Sequence, residues 1–528
     1  MIKKRESVVI LLYSFIFAVL NIHIILLQHV QWGIGFIVEP ILITAATAGV
    51  FFIVKSIFKL FPKITKKNIN NEKDVVKYYF IVFLVQLLFW GIVFAAYWPG
   101  LFSEDVERQL IQGHVSTHHP QVHSFYLQFF YNYVGGNLLK SYNLAIAISV
   151  IIQMIIASLA LAYSHTFLFE MGLNKIFRYI FIASTSLLPA CSLIFICTTK
   201  DAFFSAFMCL SFTLIVEYYL DRNRFKRKPI KYALLFFSLM GMVLFRKNGT
   251  YPIIAWLGVG VIRDIIKHKI KANHVMIITS FAGMISGMVL LAVIKSVTGA
   301  IPGSLNEMLS VPYQQIAYVY SIHEEELSEE EKEMIHEVLP KVEEYEPYRA
   351  DPVKDYAVIE NKKSILLKVW IELGKRYFGD YVTAFLKLNA GYLCVADLSY
   401  STVYGTGNGK GVFMTYYVDG FGVESKSLIP QLKWLYEKLF TDNYFRFVPV
   451  LNLLCSPAFY FWTIILLFSF SIVKGKYSLI PEFIFLITYI ATLLLGPCSV
   501  VRYALPYIVC IPTYFLLVGF EKEINANN

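Results

Sequence analysis

The strongest constraint on this chain is a repeated one: apolar runs, each close to the roughly 20 residues a helix needs to cross a bilayer, recur about twelve times between short polar breaks. They lie near 8–28, 34–58, 78–98, 143–168, 178–197, 202–220, 232–245, 251–266, 275–296, 451–473, 478–498 and 503–520. Backbone N–H and C=O groups find no water in lipid, so runs of this length must be helices. The expected fold is an all-α polytopic membrane protein, a bundle of about 12 transmembrane helices with a sizeable extracytoplasmic region. A composition of 57% hydrophobic and 16% charged residues excludes a string of soluble domains. A net charge of +10 does not point to nucleic acid, because the lysines and arginines sit in short clusters between the apolar runs. None of the 7 cysteines has metal-ligand spacing, so neither a disulfide framework nor a zinc site is expected. Lys3-Lys4-Arg5 precedes a long apolar stretch with no small-residue cleavage site, which reads as a retained first span.

The basic clusters test the number of spans, since a wrong count would scramble their alternation. Lys3-Lys4-Arg5, Lys63-Lys66-Lys67, Lys175-Arg178, Arg222 to Lys228, Lys267-Lys269-Lys271 and Lys474-Lys476 all fall on one side, expected to be the cytoplasm together with both termini. The opposite side receives the loop 99–142, the turns at Lys200-Asp201, Arg246-Gly249 and Ser499-Tyr503, and the region 297–450. Three parts follow: a transmembrane module 1–296 carrying the external loop 99–142, an extracytoplasmic helical and loop region 297–450, and a C-terminal transmembrane module 451–528. Within the middle part, Ser328 and Glu331 predict a capping box opening an acidic helix. The stretch 381–398 is expected to be an interfacial helix, and Tyr400–Gly422, rich in Gly and Tyr, a long loop.

The polar phrases that look chemical share the external side. Glu104 and Asp105 are paired carboxylates just past a span, suited to removing a proton or to holding a divalent ion. His119 and His123, four residues apart, would share one face of a helix. Lys200 and Asp201 stand with almost no loop to spare, either as a local ion pair capping the next span or as part of a binding site. Arg246, Lys247 and Asn248 before Gly249, and Arg502 with Tyr503, place cations outside against the usual bias. Such cations call for an anion, and the planar guanidinium suits phosphate. Lipid headgroups alone could be that anion.

Tyr97-Trp98-Pro99-Gly100 with Ser103 and Asp105, then His119-Pro120, Lys200-Asp201, Phe245-Arg246-Lys247-Asn248-Gly249 and Arg502-Tyr503 with Pro506, resemble the GT-C superfamily of polytopic glycosyltransferases, in particular little-characterised bacterial members. Val311 to Ala317, Tyr345-Glu346-Pro347 and Asp351 to Lys354 look like the same group. The resemblance implies a transferase using a polyprenyl-phosphate sugar donor, with Asp105 as catalytic acid or base, Glu104 as its assistant or a metal ligand, and Arg246 and Arg502 on the donor phosphate. His119, His123, Lys200, Asp201, Lys247, Asn248 and Tyr503 complete the expected substrate-binding set. The sequence assigns no cofactor, although some members of the superfamily require a divalent cation such as Mg or Mn. One departure is that two spans precede the one leading into Asp105, where the family commonly has none.

The leading expectation is a glycosyltransferase of the cytoplasmic membrane, multi-pass, acting at the extracytoplasmic face on a cell-envelope glycan or protein acceptor. Its partners would be that acceptor, the lipid-linked donor and membrane lipids, with no nucleic acid. The alternatives are a transporter or flippase of a lipid-linked or anionic substrate, and a ligase that moves a whole lipid-linked glycan.

Overall fold

The computed structural model describes residues 2–29, 32–66, 71–102, 105–112, 116–396, 421–441 and 444–521. Glu104 and nearly all of the expected loop Tyr400–Gly422 lie outside the described residues. About 81% of the structure is helical. The first long helices are α1 (Ile2–His29), α2 (Trp32–Leu60) and α3 (Glu72–Ala96). Two short helices, α4 (Asp105–Gln112) and α5 (Gln121–Gln128), follow and lead through a π-helical stretch, Phe129–Leu139, into α6 (Tyr142–Glu170). Next come α7 (Lys175–Leu187), α8 (Pro189–Phe195), α9 (Lys200–Leu220), the short α10 (Arg222–Lys226), α11 (Ile230–Phe245), α12 (Thr250–Ile266) and α13 (Ile270–Thr298). The C-terminal part ends with α21 (Pro449–Cys455), α22 (Pro457–Val473), α23 (Ile480–Leu494), α24 (Val501–Ile508) and α25 (Ile511–Gly519).

All twelve apolar runs are helical, but they are not all single straight spans. Among the described residues, 9 helices are long and apolar enough to cross a membrane, or up to 11 if each bent pair counts as one. The bends fall between α7 and α8, at 48°, and between α21 and α22, at 73°. Pro189 and Pro457 open the second member of each pair, and the residue before a proline is driven out of the helical region. The run at 232–245 is helical over only 16 residues. Lys200–Leu220 and Val501–Gly519 are 78% and 83% buried and form the centre, whereas Val38–Leu60 is 11% buried and lies at the periphery with Ile41, Phe52 and Ile53 exposed. This is the architecture of a multi-pass helical membrane protein, with α1 packed against α2 and α22.

The chain between α13 and α21 builds a smaller helical unit: α14 (Ser310–His323), α15 (Glu329–Val338), α16 (Asp351–Lys354), α17 (Lys363–Arg376), α18 (Phe378–Leu388), α19 (Ala390–Leu393) and α20 (Pro430–Tyr436). From α14 to the start of α18 it has its own core around Tyr313, Ile316, Ile335, Val338, Val369 and Leu373, whereas α19 packs on α22 and α20 on α3. The capping box is present, with Ser328 N donating to Glu331 Oε2 at 2.9 Å and Glu331 N to Ser328 Oγ at 3.3 Å. The stretch expected as one interfacial helix is instead two, α18 and α19, broken at Asn389. Both pack on α1, because the outward faces of this segment are apolar enough to cover a span. The unit also grips the turn before α24: Ala350 N donates to Pro497 O at 2.8 Å and Ser499 Oγ to Leu388 O at 3.1 Å.

One small ladder positions the site. β1 (Leu101–Phe102) pairs in parallel with β2 (Cys197–Thr198), Leu101 opposite Cys197 and Phe102 opposite Thr198. Leu101 N donates to Ile196 O at 2.9 Å, and Thr198 Oγ1 to Leu101 O at 3.1 Å. Gln153 of α6 donates to the carbonyls of Phe195 and Cys197, so this buried turn leaves few backbone groups unpaired. Gly100 enters the ladder at φ 123°, where a Cβ would stand 2.8 Å from Val150 Cγ2 and 3.0 Å from Ile196 O. Only glycine tolerates that conformation and that contact. Gly100→Ala should therefore cost about 1–3 kcal/mol and lower the midpoint of thermal unfolding in detergent. Gly379→Ala, whose Cβ meets nothing within 4 Å, should leave the midpoint nearly unchanged, and equal midpoints for the two variants would refute the role given to Gly100.

Candidate active site

The ladder ends three residues before Asp105 and two before Lys200, and it brings those two side chains together. Lys200 Nζ donates to Asp105 Oδ2 at 2.6 Å and to His119 Nδ1 at 3.2 Å. Thr199 caps α9, its hydroxyl accepting from Asp201 N at 3.3 Å. Lys200 and Asp201 are thus consecutive on a helix and point about 100° apart, so they are not the local pair that their adjacency suggests. Lys200 reaches outward to Asp105, while Asp201, fully buried, turns inward to Arg246 Nη1 at 3.2 Å.

Arg502, in the first turn of α24, closes the chain of charges. Its Nη1 lies 3.9 Å from Asp105 Oδ2 and its Nε 3.9 Å from Asp201 Oδ2. Arg246 donates to the Tyr489 hydroxyl at 2.9 Å and stacks 4.3 Å from the ring centre of Tyr503, whose hydroxyl accepts from Arg502 at 3.1 Å. Arg246 caps α11 in an extended conformation, and Gly249 lets that turn close on α9: a Cβ there would lie 2.7 Å from Phe204 and 2.6 Å from Met242 O. The order Lys200, Asp105, Arg502, Asp201, Arg246 alternates in sign, which is how buried charges are tolerated.

Burial would push the Asp105 carboxyl up, but the Lys200 ammonium, the Arg502 guanidinium, His119 and the hydrogen bond from Lys200 hold it well below the usual carboxylate range. Burial and the nearby Lys200 push His119 down to about 3, against the opposing pull of Asp105. A neutral His119 that accepts at Nδ1 carries its proton on Nε2, and that N–H is buried with no partner. Arg502 Nε is also buried and makes no hydrogen bond. Two buried donors at this end of the bundle therefore make no hydrogen bond, Arg502 Nε facing Asp201 Oδ2 at 3.9 Å, and such groups are ordinarily met by water or a ligand.

The remaining expected residues divide. His119 precedes α5 and faces Lys200, whereas His123 lies inside it and donates from Nδ1 to Gln109 Oε1 at 2.8 Å among Tyr126, Phe203 and Phe245. The two histidines do not share a face, because Pro120 starts the helix between them, and the fully buried His123 belongs to the core. Burial pushes it down to about 3, which fits that neutral core role. Asn248 is held by Thr492 at 2.9 Å, and the exposed Lys247 reaches Gly303 beside the histidines. A recess of 280 Å³ opens there between Arg108, His118, His119, Pro302 and Gly303. Thr117 N bonds Ile301 O at 2.9 Å to form its edge.

Three participants escaped sequence reasoning. Tyr489, Gln153 and Arg108 had one available signal, a polar group that must be paired inside or beside an apolar run. As for a metal, no three His, Cys, Asp or Glu side chains converge among the described residues, and Lys200 fills the gap between Asp105 and His119. The described donors do not fit a divalent cation.

Residues 112–528 match the family described as a family of unknown function, DUF6020. The chain belongs to that family. The match includes His119, Lys200, Asp201, Arg246 and Arg502 and begins after Asp105. No curated protein and no solved structure matches the chain.

Asp201→Asn should remove the charge between two buried guanidinium groups and destabilise the fold by about 3–5 kcal/mol, read as a lower unfolding midpoint. Lys247→Ala, on an exposed side chain, should change it by less than about 0.5 kcal/mol. An Asp201→Asn protein as stable as the parent would show that the alternation of charge does not hold this end of the bundle.

Proposed function

We propose that this DUF6020 member is a GT-C-type glycosyltransferase of the cytoplasmic membrane, moving a sugar from a polyprenyl-phosphate donor to a cell-envelope glycan or protein acceptor at the extracytoplasmic face. The observation that carries the reading is the pair of cations, Lys200 and Arg502, that converge with the unpaired donor His119 Nε2 on an ionised Asp105. Donors ask for acceptor oxygens, and a phosphate at the end of a membrane-spanning bundle supplies them. The positive-inside bias supports the orientation, because this end is opposite the basic loops.

In this mechanism the Asp105 carboxylate takes the proton of the acceptor hydroxyl. The hydroxyl oxygen bonds to the anomeric carbon as the bond from that carbon to the phosphate oxygen breaks, and the electron pair leaves with polyprenyl phosphate. Arg502 and Lys200 offset the charge gained by the leaving phosphate. A carboxylate held down by two cations is a weak base. The cations that hold Asp105 down are those the donor phosphate engages, so donor binding frees the base only when its substrate is in place.

A transport reading has less support. Among the described residues, the buried Asp, Glu, Lys and Arg side chains of the apolar helices are Asp201, Glu217, Lys231, Asp264 and Glu482, and each lies within a turn of a helix end. Transporters gather such groups at broken helices near the midplane.

Purified protein given a polyprenyl-phosphate sugar and an envelope acceptor should release polyprenyl phosphate, and Asp105→Asn should slow this by about 10²–10⁴-fold. The acid limb of kcat/KM, which reports the free enzyme, should lie below the ordinary carboxylate range, because Asp105 is active when ionised and is lost only as pH falls through its depressed value. The acid limb of kcat should lie at higher pH. Lys200→Met should move the kcat/KM limb upward by about 1–3 pH units. Full activity in Asp105→Asn would sink the assignment, and substrate flux across sealed vesicles without product would favour transport.

A further inference from the structure

The opposite end of the bundle holds a second polar cavity, of 400 Å³, between the last turns of α9 and α12 and the first turns of α13 and α23. Its wall buries two acids, Asp264 at 4% and Glu482 at 1% exposure. Arg263 lies between them: Nε donates to Asp264 Oδ1 at 3.3 Å, and Nη1 donates to Glu482 Oε1 at 3.3 Å and to Ser478 O at 3.1 Å. Asn273 donates to Asp264 Oδ2 at 2.5 Å and accepts from the Tyr218 hydroxyl at 3.1 Å. After this pairing Glu482 Oε2 has no hydrogen-bond partner. Neither has Trp256 Nε1, in a side chain that is 6% exposed and lines the same cavity.

Depth sorts the charges. The carboxylates of Asp264 and Glu482 are inside, whereas Lys267 and Lys269 are exposed at the mouth, where Arg222 Nε is a further unspent donor. The four helices end here, which is the level at which a bilayer changes from hydrocarbon to headgroup. Beside the mouth, α12 and α13 present Ile262, Ile265, Ile266 and Ile278 outward, an apolar face on which acyl chains can lie.

We propose that this cavity binds the headgroup of a phospholipid whose phosphate is followed by a primary ammonium. The phosphate rests on Lys267, Lys269 and Arg222 at the mouth, and the ammonium donates to Glu482 Oε2 inside. The zwitterion matches the order of charges from mouth to floor. A trimethylated ammonium has the charge but no N–H to give, and a glycerol headgroup has donors but no cation, so neither satisfies the floor. The site is independent of the reaction proposed at the other end.

The test is native mass spectrometry of the delipidated full-length protein after exchange into mixed micelles of phosphatidylethanolamine, phosphatidylcholine and phosphatidylglycerol. The expected result is retention of phosphatidylethanolamine over each of the others by about tenfold, the scale of one charge-assisted hydrogen bond. Glu482→Gln should abolish the preference, and Lys267→Ala with Lys269→Ala, on exposed side chains that leave the fold intact, should weaken retention of phosphatidylethanolamine. Equal retention of the three lipids by the parent protein overturns the proposal. So does retention of phosphatidylethanolamine untouched by the lysine pair, or displacement of the lipid by soluble phosphoethanolamine at equal concentration, which would make the site one for a soluble ester.

Discussion

Everything at the site end of the bundle depends on one electrostatic arrangement, the alternation Lys200, Asp105, Arg502, Asp201, Arg246. Each carboxylate lies between two cations at 2.6 to 3.9 Å, and the innermost acid has no exposed surface. In so dry a place a single uncompensated charge costs several kcal/mol, so the five residues stand or fall together. The arrangement also keeps Asp105 ionised while leaving His119 Nε2 without a partner.

The fold serves this arrangement by bringing helix ends together. Asp105, Lys200, Asp201 and Arg502 each lie within the first two residues of a helix, and Arg246 caps another. The parallel ladder between Leu101–Phe102 and Cys197–Thr198 couples the first two, and the smaller helical unit holds the turn that delivers the fourth. At the other end, basic loops do comparable structural work: Lys476 donates to the carbonyls of Val518 and Phe520 at 2.7 and 2.6 Å, and Lys66 pairs with Asp221. The same kinds of residue thus close both ends of the bundle, with unspent donors at each.

The bundle was legible in the sequence because lipid imposes a length on every span, and the apolar runs show it directly. The bends before Pro189 and Pro457 were marked by proline but hidden inside runs of continuous hydrophobicity. Arg246 and Arg502 stood out as cations on the wrong side, and the structure joins them through Asp201. For Lys200 and Asp201 the sequence left a local ion pair open beside a binding role, and the structure removes the local pair, since adjacent helical residues diverge and each finds its partner far along the chain. His123 misled in a similar way: a spacing of four implies a shared face only within one helix, and Pro120 divides it from His119. Tyr489 showed in the sequence only as a polar group in need of a partner, because the long-range packing of α23 on α9 and α12 is what gives it Arg246 to bond. Long-range pairing of this kind is set by topology, which a local pattern does not encode.

The central claim is that this charge chain cradles a lipid-linked phosphate. Cryo-electron microscopy of the full chain with a bound polyprenyl phosphate tests it most directly. The account predicts phosphate density within about 4 Å of Arg502 and Lys200, the range of an ion pair, with Asp105 facing the position of the sugar. Phosphate density seated elsewhere, with Lys200 still bonded to Asp105 as at 2.6 Å here, would contradict it.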